Sequence, residues 1–172
     1  MARNLVKYEG ALTADTRKIL NDTTPDLSKC TTEFDVDSGT TGSTLANVVG
    51  MVTDTLEAGA TYAFRIHLSM TSTGNGGLKA GLKFGTASML TSIQSNSIAY
   101  TVTNDHVQLT STTATDAASL VASTTAITKC VIEGTLVVAL AGTLQLQAAQ
   151  NAAHDDNTTI YVGSYMEFKK IG

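Results

Sequence analysis

The chain has 172 residues, of which 42% are hydrophobic and 15% are charged, and its formal net charge is −4. This composition excludes an intrinsically disordered chain, and the length favours one folded domain. The acidic balance argues against nucleic acid as a partner, because binding to a phosphate backbone needs a clustered basic surface. No apolar run reaches the roughly 18 residues of a membrane span, and the first ten residues lack a signal-peptide stretch, so we expect a cytosolic protein with no membrane partner.

Residues 1–43 are predicted to form an extended N-terminal arm. They contain the single proline, Pro25, and few alternating apolar residues. Residues 13–20 match two turns of a marginal helix with Thr13 or Asp15 as its N-cap. Two arrangements remain open for the arm: it becomes ordered on a partner, or it adds an edge strand to its own domain.

The clearest strand covers residues 62–70, where large apolar side chains alternate with small or polar ones, as in a strand with one buried face. The predicted inward residues are Tyr62, Phe64, Ile66, Leu68 and Met70. The Gly-rich segment 73–77 predicts a hairpin turn, because glycine adopts the positive φ that such turns need. The partner strand then presents Leu78, Ala80, Leu82 and Phe84 on one face.

Further strands are predicted wherever apolar or β-branched runs lie between turn signals. These strands are Leu45–Thr55, Ser97–Asn104, Val107–Ser111, Lys129–Leu140, Thr143–Gln150 and Thr158–Lys169. No helix of crossover length separates them, which excludes a parallel α/β sheet. The sequence therefore predicts an all-β fold over residues 44–172, an antiparallel two-sheet sandwich of jelly-roll type.

The segment Leu136–Leu140 departs from simple alternation, because both of its faces are apolar. Val137 and Ala139 would lie on the outer face of a sheet, where apolar side chains need a cover. We expect either the arm or a neighbouring subunit to cover them.

No group of residues predicts catalysis, a metal site or a cofactor. His67, His106 and His154 lack the spacing of zinc ligands, and we interpret His67 as an outward strand residue and the other two as turn residues. Glu133 and Glu167 can meet across a sheet, but no sign of a cleft accompanies them. We expect Cys30 and Cys130 to be reduced, buried thiols, and we expect no enzymatic activity.

Four stretches carry a resemblance to a known family: Leu56–Phe64, Gly76–Ala80, Ala141–Asn151 and Tyr161–Phe168. In order, they supply an AGxTY start to a strand, a Gly-rich hairpin, an AGTLxLQxAQN strand and a final GSxM strand. Together they span about residues 45–172. This part of the chain resembles bacteriophage jelly-roll virion structural proteins of the head decoration, or cement, family.

The resemblance implies a homotrimer on the capsid surface of the virion, assembled in the host cytoplasm, with the phage major capsid protein as its partner. It carries over no catalytic residue. The arm adds apolar anchors and positive charge, so we expect the capsid-docking residues there: Arg3, Leu5, Lys7, Tyr8, Arg17 and Lys18. We expect Val137, Ala139 and Ala149, the last as a small outward residue, at the subunit interface.

Two other functions remain open on the sequence. One is a tail or head fibre or receptor-binding component of the virion, although residues 1–43 contain no heptad or collagen repeat to form a stalk. The other is a nonviral carbohydrate-binding or C1q-like sandwich. Carbohydrate sites present exposed aromatic rings, and only Tyr8, Tyr161 and Tyr165 are predicted to lie outside the core.

Overall fold

The computed structural model describes residues 26–30, 34–36, 44–72, 75–101, 106–111, 117–123 and 126–172. Every regular element in these ranges is a β-strand, which confirms the all-β prediction. The strands are β1 Asp26–Lys29, β2 Phe34–Val36, β3 Ala46–Val52, β4 Thr61–Thr71, β5 Leu78–Phe84, β6 Leu90–Thr101, β7 His106–Ser111, β8 Ala117–Ser123, β9 Ile127–Val138, β10 Leu144–Ala149, β11 Thr158–Ile160 and β12 Tyr165–Lys170.

The strands form two antiparallel sheets. The larger sheet has the order β1-β12-β4-β9-β6-β7, and β11 pairs with both β4 and β2 beside this path. The smaller sheet has the order β3-β10-β5-β8. One apolar core contains buried residues from both sheets, so the predicted two-sheet sandwich is confirmed.

The core is built from the alternating strands that the sequence marks most clearly. The five inward residues predicted for β4 are all buried, and Ile66 and Leu68 have no exposed surface. Burial of five large side chains contributes on the order of 10 kcal/mol before the entropy cost of folding. From the other sheet, the four predicted residues of β5 are also buried. Within the larger sheet, the rings of Phe64 and Phe168 stack with their centroids 5.5 Å apart.

Other strands differ from the predicted bounds. β6 begins at Leu90, earlier than the predicted start at Ser97. The sequence did not reveal this part of the strand, because the buried Ser95 and Ser97 interrupt the apolar pattern of its inner face. β8 was not predicted, since its sequence AASLVAS has little contrast between its two faces. The predicted strand Thr158–Lys169 is two strands, separated by a turn in which Gly163 has a φ of +97°.

Part of the expected arm belongs to the sandwich. β1 pairs with β12 at an edge of the larger sheet, and Ser28 Oγ donates a hydrogen bond to the carbonyl oxygen of Val52. β2 pairs with β11. Residues 26–29 therefore form an edge strand, whereas the predicted helix at residues 13–20 lies outside the described residues.

Candidate functional site

The candidate site lies on the outer face of the larger sheet. Alternation along β4 directs Arg65 and His67 away from the core, and the antiparallel register aligns outward residues of neighbouring strands in transverse rows. The first row consists of Glu167, Arg65, Glu133 and Asn96. The second consists of Tyr165, His67, Val131 and Ile98, and the third of Ser69, Lys129 and Tyr100.

An ion pair forms a ridge across the middle of this face. Arg65 Nε lies 2.8 Å from Glu133 Oε1, and about half of each side chain is exposed. An ion pair in contact with solvent adds only about 0–1 kcal/mol to stability. The pair therefore matters more for the surface that it presents than for holding β4 and β9 together.

A first depression lies on one side of the ridge, over two small residues. Ala63, Phe64 and Gly134 line its floor. Its rim consists of Arg65, Glu133, Glu167 and Lys169, and its volume is about 330 Å³. A Cβ atom at position 134 would overlap the carbonyl oxygen of Gln94 and lie 2.8 Å from Phe64 Cζ. Only glycine fits this position without movement of the neighbouring strand.

A second depression, of about 190 Å³, lies on the other side of the ridge. It shares the ridge residues with the first, and its other lining residues are Asn96, Ile98, Tyr100, Lys129 and Val131. Tyr100 is 38% exposed, and Lys129 Nζ lies 5.3 Å from the centre of its ring, within cation–π range. An aromatic ring, two aliphatic side chains, an amide and charged groups therefore surround one small depression.

His67 lies beside the ridge and is half-buried. Its ring stacks on Tyr165, with the centroids 5.4 Å apart and the planes 11° apart. Burial, and then the positive charges of Lys129 and Arg65, lower the pKa of His67 below its usual value. His67 Nδ1 and Asn96 Oδ1 are buried without a hydrogen-bond partner. The sheet face thus contains a neutral imidazole and an unused amide acceptor beneath its surface.

The structure brings together some residues that the sequence singled out. Glu133 and Glu167 lie on the same face, as the sequence allowed, but Arg65 separates them in the row. Tyr165 belongs to the same face, and Tyr161 is half-buried elsewhere, with its hydroxyl 3.0 Å from Thr71 Oγ1. The six expected docking residues, among them Tyr8, lie outside the described residues.

The expected interface residues have different environments. Val137 is half-buried and Ala139 is exposed. The orientation predicted for Ala149 is wrong, because this residue is fully buried and offers no surface to a neighbour.

Two further exposed apolar residues, Ile171 and Leu140, follow the ends of β12 and β9, near Val137 and Ala139. Val137 pairs with Thr61, whose carbonyl oxygen accepts a 2.8 Å hydrogen bond from Ile171 N. Ile171 is 56% exposed and Leu140 is 48% exposed at this end of the sheet. We call Val137, Ala139, Leu140 and Ile171 the apolar end patch.

The two cysteines and His154 lie outside the lining of both depressions. Cys30 and Cys130 are both buried and form no disulfide, which confirms their predicted burial. Burial raises the pKa of the Cys130 thiol to about 12, so it remains protonated at neutral pH. His154 is close to Asp156 in the loop before β11, with Nδ1 3.1 Å from Oδ2. The described residues contain no group of three side chains able to hold a metal ion.

Sequence reasoning missed the two depressions because their residues come from different strands. Arg65, Asn96 and Glu133 meet only through the register of β4, β9 and β6. Tyr100 was predicted to lie in the core, which is wrong, because its side chain points to the outer face and is 38% exposed. The alternation of the predicted strands could have placed both Tyr100 and Lys129 on outer faces. The sequence contains no information on the register between these strands, so it could not show that these residues lie side by side.

Comparisons with known proteins do not identify a relative. No model of a protein family, no curated protein and no solved structure matches the chain. Among the described residues, no helix is long and apolar enough to cross a bilayer.

Proposed function

We propose that the chain is a structural virion protein of a bacteriophage that decorates and stabilises the capsid as a trimeric cement protein. The observation that carries this proposal is the way in which the four stretches of the resemblance meet in space. Phe168 of the last stretch pairs with Phe64 of the first. Leu56 N donates to the carbonyl oxygen of Gly142 at 2.8 Å, and Asn151 N donates to that of Gly76 at 2.9 Å. The stretches thus act together in forming the fold, as structural motifs do.

The proposal includes a jelly-roll connectivity, and the strand order supports it. Of the eight consecutive strands β3 to β10, β3, β10, β5 and β8 are neighbours in that order in the smaller sheet. The other four have the order β4-β9-β6-β7 in the larger sheet. A jelly roll consists of eight strands in two Greek keys. On this reading β1, β2, β11 and β12 are additions to the eight-stranded unit.

The apolar end patch supports self-association. Isolated exposed apolar side chains are ordinary, but neighbouring ones at the end of one sheet resemble the core of an interface. Closed symmetric assembly is the usual way to cover such a surface. We therefore place the trimer contact at Val137, Ala139, Leu140 and Ile171.

The copy number in purified particles tests the capsid role. Quantitative mass spectrometry of the virion should find hundreds of copies of this chain, in a fixed ratio to the major capsid protein. A few to a few dozen copies would contradict the proposal and indicate a tail or fibre component.

Deletion of residues 1–20 tests the docking role of the arm. Head binding should be lost while the trimer remains intact, because the deleted residues contain the expected anchors and basic residues. Sedimentation of the isolated protein and binding to undecorated heads measure the two effects separately. Unchanged head binding would contradict the docking role.

A further inference from the structure

We infer that the outer face of the larger sheet binds an uncharged oligosaccharide, with at least two sugar units on opposite sides of the Arg65–Glu133 ridge. This inference goes beyond the proposed capsid role and does not depend on it. It rests on the shape of the face, on its balance of donors and acceptors, and on its exposed aromatic and aliphatic surface.

The shape of the face suits a ligand built from repeated small units. The depressions have volumes of about 330 and 190 Å³, and both are lined by Arg65 and Glu133. The second depression alone is smaller than the roughly 300–1,000 Å³ of most small-molecule clefts, whereas the two together fall within that range. A chain of sugars that crosses the ridge would fill both depressions and contact the ion pair between them.

The polar groups around the depressions match hydroxyl groups, which both donate and accept hydrogen bonds. Arg65, Lys129 and Lys169 supply donors, and the carboxylates of Glu133 and Glu167 supply acceptors. Neighbouring hydroxyls of one sugar could therefore bond to Arg65 and Glu133 together.

The charges around the first depression favour an uncharged ligand. Arg65 and Lys169 balance Glu133 and Glu167, so that the net charge of the rim is zero. A strongly charged ligand would leave groups of its own sign beside it, at an electrostatic cost.

Asn96 adds an acceptor in need of a donor. Its Oδ1 atom is buried in the second depression's wall and has no hydrogen-bond partner. An unsatisfied buried acceptor costs free energy, which a hydrogen bond would recover. Asn96 also lines the second depression, so a sugar bound there would lie against this side chain.

The apolar part of the second depression complements the C–H groups of a sugar ring. Tyr100 exposes 38% of its surface, and Ile98 and Val131 are half-buried beside it. The cation–π contact with Lys129 restricts the orientation of the Tyr100 ring. These groups belong to paired strands of one sheet, so that they are positioned before a ligand binds.

The test uses the full-length protein on a printed array of neutral and acidic oligosaccharides, followed by calorimetric titration of the neutral glycan that is retained best. Tyr100→Ala and Arg65→Gln should each weaken this binding roughly tenfold or more, because each removes a principal contact. Tyr161→Ala is the matched control, since Tyr161 lines neither depression, and its affinity should stay within about twofold of the wild type.

Three outcomes would overturn the inference. The first is that no neutral glycan is retained, and the second is that Tyr100→Ala and Arg65→Gln both bind as the wild type does. The third is that the two variants lose binding together with a change of oligomeric state in sedimentation, which would make this face a subunit contact. Circular dichroism of each variant separates loss of binding from loss of fold, and a misfolded variant is replaced by Tyr100→Leu or Lys129→Gln, each of which should also weaken binding. Loss of glycan binding with unchanged head binding would leave the capsid proposal intact.

Discussion

The two halves of β9 present different surfaces on the same sheet. In the half from Lys129 to Glu133, the outward charged side chains lie beside Tyr100 and Asn96 of β6. The other half runs to Val138 and contains Val137 of the apolar end patch. Gly134 lies between them. Polar depressions suit a small hydroxylated ligand, and a flat apolar patch suits another protein surface. One strand can therefore contribute to two kinds of binding surface, provided that the packing around Gly134, between its two halves, is preserved.

Gly134→Ala should have the largest effect, because it acts on that transition. The added methyl group would overlap the Gln94 carbonyl and press on the Phe64 ring. Backbone cannot move aside cheaply in the middle of a sheet, so we expect a loss of about 3 kcal/mol or more in the free energy of unfolding. Urea denaturation measures it. Thr135→Ala, at the exposed neighbouring position, is the control, and equal stabilities of the two variants would contradict the packing argument.

Leu140→Lys should have the next largest effect, and this effect should be confined to self-association through the apolar end patch. A charge placed in the proposed trimer contact would be desolvated without a partner, which should cost about 2 kcal/mol at each interface. Sedimentation velocity at micromolar concentration should then show a monomer of 17.9 kDa and not a trimer. Val162→Lys is the matched control, because Val162 is 61% exposed outside the patch. A Leu140→Lys trimer as tight as the control would remove the patch from the interface.

His67→Gln should alter the pH dependence of stability on the polar half. The pKa of His67 is lowered in the folded protein, so below the ordinary value of 6.5 the unfolded chain binds the proton more readily. His67 therefore makes the protein less stable as the pH falls from 7.5 through 6.5 towards 5.

The measurement is urea denaturation at pH 7.5 and pH 5. His67→Gln should lose less stability between these values than the wild type does. Thr135→Ala, at an exposed position without a titratable group, is the control, and it should lose as much stability between the two pH values as the wild type does. Parallel pH curves for the wild type and His67→Gln would contradict the assignment.

Glu133→Gln should have the smallest effect on stability. The carboxylate pairs with Arg65, but both side chains are half exposed, so that breaking the pair should cost at most about 1 kcal/mol. Added salt should reduce the difference further. Thermal unfolding at low and high ionic strength measures it. A loss as large as that of Gly134→Ala would mean that the ridge supports the fold itself.

The sequence was sufficient for the fold where one face of a strand is consistently apolar. The alternation of Tyr62 to Met70 predicted both the strand and its inward face, and β5 followed in the same way. It was insufficient where buried residues are polar, as at Ser95 and Ser97, because hydrophobicity then no longer marks the inner face.

The candidate site could not be predicted from the sequence, for a different reason. Its lining is set by the register between β12, β4, β9 and β6, and a shift of one residue would turn a different set of side chains outward. A single sequence contains the alternation of each strand but not the alignment of one strand against the next.

The two buried thiols give the protein a pair of internal reporters of local opening. Cys30 directly follows the edge strand β1, whereas Cys130 lies in β9, between β4 and β6. Alkylating reagents react with a buried thiol only when the surrounding structure opens. Under native conditions Cys30 should therefore be modified through detachment of an edge strand, and Cys130 only through opening of the sheet itself. The ratio of the two modification rates would measure how independently the edge of the sandwich moves from its centre.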